Sequence, residues 1–167
     1  RVIRLDLPGS GLSPPDPTGR YDDERVFELL AALMDALGVE RAALVGNSVG
    51  GRIAWGFAAA RPERVSRLVL VAPDGFASEG FEYGKAPEVG FVTHAMRAVL
   101  PRMLVRMNLE QSYADPSRLK PEAVERYYAL LRAPGARAAL IARMEQTVLQ
   151  DPVPRLRAIE APVLLLW

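Results

Sequence analysis

The chain has 167 residues, enough for one ordinary domain with a core of its own. Half of the residues are hydrophobic, a quarter are charged and the formal net charge is +1, so no broad field favours nucleic acid or an anionic membrane. The absence of cysteine excludes disulfides, a thiolate nucleophile and cysteine-ligated zinc, and no apolar run approaches the roughly 18 residues of a membrane span.

Val2, Ile3, Leu5 and Leu7 read as a strand closed by Pro8-Gly9-Ser10-Gly11. The chain opens on Arg1 rather than Met with a core strand already under way, so the natural N-terminus is expected to be missing. Compartment is then open, with the cytoplasm favoured. A Pro-rich loop, Ser13 to Tyr21, leads to a helix in which Val26, Leu29, Leu30, Leu33, Met34 and Leu37 recur at helical spacing. Asp22 and Asp23 can cap its start, and Gly38 stands where a C-terminal glycine belongs. Ala42 to Val45 reads as a short buried strand, Gly50 to Ala60 as a helix stopped by Pro62, and Arg64 to Ala72 as a strand covered on both faces. The order β-α-β-α-β predicts an α/β fold with a parallel sheet and right-handed crossovers.

From Pro73 to about Asp151 no strand is evident. Helical stretches are expected around Val89 to Met107, Pro121 to Leu131 and Arg137 to Leu149, with Pro121 suited to a first helical turn. The strand pattern returns at Val163-Leu164-Leu165-Leu166. The expected organisation is an α/β core over 1–74, an all-helical cap over 75–155 and a return to the core over 156–167.

Gly46-Asn47-Ser48-Val49-Gly50 follows an apolar run and precedes a helical pattern, the context of a nucleophile elbow. A serine at such a bend is held in strained backbone geometry with its hydroxyl pushed out over the sheet. Gly46 and Gly50 stand where a side chain is expected to collide across the turn. The elbow makes Ser48 the candidate nucleophile and the Val49 N–H a candidate oxyanion donor.

Strand, elbow serine, helix, strand, helical insertion and strand resemble the middle of an α/β-hydrolase. Leu5-Asp6-Leu7-Pro8-Gly9-Ser10-Gly11-Leu12-Ser13 resembles that family's Asp-x-Pro-Gly-x-Gly-x-Ser segment, with Ser10 where the family often has an aromatic residue or histidine. Arg61-Pro62-Glu63-Arg64-Val65 resembles the link out of the elbow helix, and Glu160 to Trp167 the seventh strand. The resemblance implies that the chain covers the family's fourth to seventh strands. It places the catalytic acid and histidine beyond Trp167 and the second oxyanion donor before Arg1, so the chain by itself is expected to be inert. It also predicts either a marginal fold or a shift of Val2–Leu7 into the slot beside Ala42–Val45.

The resemblance implies a serine hydrolase that forms an acyl-enzyme on a small or medium apolar ester. The alternatives are cleavage of a C–C bond in a vinylogous diketone ring-fission product, or ligand binding without catalysis. Serine rather than aspartate at the elbow argues against chemistry that needs a carboxylate nucleophile. No metal or organic cofactor is implied; the expected partner is a small-molecule substrate, with no nucleic acid or membrane, and oligomeric state is left open. Arg126 is a candidate substrate contact, because C–C hydrolases of this family carry a cap arginine near here; the alternative is a surface pair with Glu122. His94, the only histidine, reads as a packed or solvated residue of the insertion rather than a base. Asp74 reads as a turn residue in Pro73-Asp74-Gly75, and Asp6 as a carboxylate that hydrogen-bonds the turn after it.

Overall fold

The computed structural model describes residues 1–77 and 82–167. In chain order the elements are α1 (Asp23–Ala36), β1 (Ala42–Asn47), α2 (Val49–Ala60), β2 (Val65–Val71), α3 (Phe91–Ala95), α4 (Arg102–Glu110), α5 (Pro121–Leu131), α6 (Ala136–Gln146), α7 (Pro152–Arg157) and β3 (Val163–Leu166). They form two compact units: Arg1–Tyr21 with Glu88–Gln146, and Asp22–Pro87 with Thr147–Trp167.

The second unit is the α/β part. Asp22 caps α1 by accepting from the Arg25 N–H, and Asp23 and Glu24 place negative charge at the positive end of the helix. The α1 stripe Val26, Phe27, Leu30, Ala31 and Met34 is buried, as its helical spacing predicts. The sheet is parallel, with strands in the order β1-β2-β3. Helix α2 packs on β1 and β2, while α1 and α7 pack on α2, so every residue from Gly51 to Ala58 is buried. Phe27 meets Phe57 edge to face at 6.1 Å. Each of these rings contributes roughly 1.5–3 kcal/mol through burial.

The first unit joins the N-terminal segment to helices α3 to α6. Here α6 acts as a clasp: Gln146 Oε1 accepts from the Tyr21 N–H at 2.7 Å and its Nε2 donates to the Gly19 carbonyl at 2.9 Å. One turn earlier, Arg143 donates to Ser10 Oγ at 2.8 Å and to the Pro8 carbonyl. Between α4 and α5, Arg102 pairs with Glu125, and Arg102 and Arg132 each lie 5.5 Å from the Tyr128 ring.

The structure corrects several expectations. Val2–Leu7 is not a strand, and it does not pair with β1 as expected; among the described residues β1 pairs only with β2. An extended segment becomes a strand only when a neighbour takes up its N–H and C=O groups, and alternation in the sequence supplies no neighbour. Arg1–Tyr21 accordingly groups with the helical residues rather than with the sheet. The expected helix over Val89–Met107 is split into α3 and α4 by Pro101, which lacks an N–H and caps α4 in extended backbone. Helix α6 ends at Gln146 rather than Leu149, and α7, capped by Asp151 with Pro152 in its first turn, was not expected.

Candidate active site

The site begins where β1 stops. Ser48 lies between β1 and α2 with φ 50° and ψ −121°, a left-handed backbone that a side chain tolerates only at a cost of about 1–3 kcal/mol. Three hydrogen bonds hold it there. Its N–H donates to the Val71 carbonyl at 3.1 Å, and its carbonyl accepts from the Arg52 N–H and the Asp74 N–H, each at 3.0 Å. The side-chain amide of Asn47 also donates to the Val71 carbonyl, at 3.0 Å. Ser48 is exposed, so its hydroxyl is open to a substrate.

Gly46 is required by contact: a Cβ there would lie 2.2 Å from the Gly50 carbonyl oxygen. Gly50 is not. A Cβ at Gly50 meets nothing within 4 Å, which corrects the expected collision. The second tight position is Gly51, where a Cβ would lie 2.7 Å from Pro73 Cβ. Val49 is the first residue of α2, whose leading N–H groups have no acceptor within the helix and carry its positive end. That arrangement can stabilise negative charge beside Ser48 Oγ.

Sequence reasoning missed the polar support beneath the elbow. Arg52 is only 5% exposed, and its Nη1 donates to Asp23 Oδ2 at 2.7 Å. Its Nε lies 3.5 Å from Asp74 Oδ2. Burial pushes the Asp23 carboxyl above the ordinary carboxylate range, and the charges of Arg52 and Arg155 pull it back. Asp74 Oδ1 accepts from the Gly75 N–H at 2.8 Å, and the Asp74 carbonyl accepts from Trp55 Nε1 at 3.0 Å. The available signal was a single charge inside the apolar stretch Val49 to Ala60, because a charge buried there demands a counter-charge.

The other candidates fall elsewhere. Ser48, Val49, Gly46, Gly50 and Asp74 share the α/β unit, whereas His94, Arg126 and Asp6 belong to the other unit. His94 Nε2 lies 3.6 Å from Glu145 Oε1. Arg126 is exposed on α5, and among the described residues it forms no ion pair with Glu122; the α5 carboxylate that is paired is Glu125, with Arg102. Asp6 Oδ2 accepts from the Leu12 N–H at 3.0 Å, and the Asp6 carbonyl accepts from Ser13 Oγ at 2.7 Å, so it organises its turn. Among the described residues no group of three or more His, Asp or Glu side chains could hold a metal ion, and no helix is long and apolar enough to cross a membrane.

A family model described as alpha/beta hydrolase fold matches residues 1–167, and the chain belongs to that family. It is 31% identical over its whole length to a 2-hydroxy-6-oxo-6-phenylhexa-2,4-dienoate hydrolase from Comamonas testosteroni, covering 59% of that protein. Over 42% of its length it is 49% identical to a 2-hydroxy-6-oxononadienedioate/2-hydroxy-6-oxononatrienedioate hydrolase from Paraburkholderia phymatum, covering 25% of that relative. Among solved structures it resembles a hydrolase from Pseudomonas aeruginosa at a TM-score of 0.73 and 28% identity, over 96% of this chain and 58% of the other. The chain thus spans well under two thirds of the length of these relatives.

Proposed function

We propose that the protein is a serine hydrolase in which Ser48 Oγ attacks a substrate carbonyl carbon. The observation that carries this reading is a non-glycine residue at φ 50°, exposed at the tip of a strand and at the positive end of a buried helix. As the Oγ–carbon bond forms, the carbonyl oxygen becomes an oxyanion, and the Val49 N–H is its donor from this chain. Collapse breaks the bond to the leaving group, which takes up the proton released by the serine, and water hydrolyses the acyl-enzyme. With His94 facing Glu145 at 3.6 Å, the reading gives His94 no part in proton transfer.

The favoured substrate is a ring-fission product of the 2-hydroxy-6-oxo-dienoate class, cleaved at a C–C bond between carbonyl groups. The support is that relatives aligned over all or part of the chain are named for such substrates. The ester reading from the sequence comes second. The full-length gene product, with Ser48→Ala as control, should bleach the coloured dienoate for which the Comamonas relative is named. The substitution should cost at least about a thousandfold in rate. Cleavage of an aryl ester without loss of the dienoate would move the substrate to the ester class. Absence of a fluorophosphonate adduct on Ser48 would reject the serine mechanism and leave a binding protein.

A further inference from the structure

The loop that leaves β2 is fastened to the first turns of α2 residue by residue. Pro73 packs where a Cβ on Gly51 would stand, 2.7 Å away. Asp74 Oδ2 faces Arg52 Nε at 3.5 Å. The Asp74 carbonyl accepts from Trp55 Nε1 at 3.0 Å, and a Cβ on Gly75 would lie 2.5 Å from Trp55 Cζ2. Within that loop the Asp74 N–H donates to the Ser48 carbonyl at 3.0 Å. The loop starts at Ala72, which like Ser48 is a non-glycine residue at positive φ, 39°. Two strained residues therefore follow the paired ends of β1 and β2, Asn47 and Val71, and strain of this kind persists only where the surroundings over-determine it.

Arg52 is the charged member of this fastening. Its side chain lies between Asp23, at the start of α1, and Asp74, so one guanidinium ties α1 and the loop to the elbow helix. A guanidinium suits two carboxylates in different directions, because its donors are fixed in a planar fork. Arg52 Nε is buried without a hydrogen bond and meets Asp74 as an ion pair only, so the pull on the loop is electrostatic.

We propose that Arg52 is a positioning residue: through Asp74 it holds the loop after β2 against α2, and the Asp74 N–H in turn holds the Ser48 carbonyl and the backbone of the elbow. The proposal deepens the reading of Ser48 as nucleophile and rests on it for its consequence in catalysis. A residue serving only general stability would affect every core amide alike. A positioning residue acts first on the Asp74 N–H and the Trp55 indole N–H.

The test is hydrogen exchange by NMR in the full-length gene product, with Leu68, whose N–H donates to the Pro162 carbonyl at 2.9 Å, as the reference amide. Arg52→Met should speed exchange at the position 74 amide and the Trp55 indole by about tenfold or more and leave Leu68 unchanged. Asp74→Asn keeps the Arg52–Asp23 pair and should produce the same local pattern, which covers the case in which Arg52→Met fails to fold. Fluorophosphonate labelling of Ser48 should slow by about tenfold in either variant. Equal acceleration at all three groups, or none at position 74 in Asp74→Asn, would overturn the proposal. If the unsubstituted protein is not labelled, the nucleophile reading fails while the exchange result still decides whether Arg52 sets the elbow.

Discussion

Around Ser48, free energy is decided by individual backbone atoms. A methyl group on Gly46 would be driven to 2.2 Å from the Gly50 carbonyl, and neither the strand end nor the helix start can retreat without losing hydrogen bonds. Gly46→Ala should therefore destabilise the protein by about 3 kcal/mol, at the upper end of overpacking effects. Gly50→Ala adds its methyl to open space in the first turn of a helix and should be neutral or stabilising by up to about 1 kcal/mol. Urea unfolding of both variants distinguishes them, and equal losses would show that the elbow is not a rigid turn. The elbow at Ser48 was legible in the sequence because a strand, a tight glycine at Gly46 and a helix start lie adjacent in the chain. The Asp23–Arg52–Asp74 support was not, because its members lie in separate segments that only the fold brings within reach.

Among the elements, those whose signals are local were read correctly. Helix α5 starts at Pro121 and ends at Leu131 as its proline and spacing imply, and α1 starts at its Asp22 cap. Elements that depend on a partner were read less well. Val2–Leu7 has a strand's alternation but pairs with no strand among the described residues, and α7 is a helix of six residues containing two prolines, Pro152 and Pro154, held against α2. The clasp of α6 on the N-terminal segment is another partner-dependent feature, since Gln146 and Gly19 lie far apart in sequence. Gln146→Ala removes the acceptor for the Tyr21 N–H and the donor to the Gly19 carbonyl. It should cost about 1–2 kcal/mol, one to two net hydrogen bonds. The measurement is a denaturant midpoint together with exchange at the Tyr21 amide, which should accelerate. Unchanged exchange at Tyr21 would mean that the segment is held by Arg143 and packing alone.

Among the described residues, the two outer strands of the sheet carry exposed apolar side chains. Strand β3 pairs with β2 along one side, and its residues Val163 to Leu166 are each about half exposed, followed by Trp167 at 90%. At the opposite edge, Val45 on β1 is 72% exposed. Proteins usually blunt such edges with charge, proline or a covering element, and β3 is a run of valine and leucine without any charge. Sequence inspection reads Val163–Leu166 as a core strand, which is right for its composition, yet burial depends on what lies on either side of it. The 167-residue chain should therefore self-associate through β3 as its concentration rises, visible as a concentration-dependent sedimentation coefficient. Leu165→Lys places a charge on that strand and should reduce association. Because Leu165 is already 55% exposed, the substitution should shift the unfolding free energy by no more than about 0.5 kcal/mol. If the unsubstituted chain sediments as a monomer at every concentration, or if Leu165→Lys leaves association unchanged, β3 is not the surface responsible. A large loss of stability in Leu165→Lys would instead show that the strand is buried in solution.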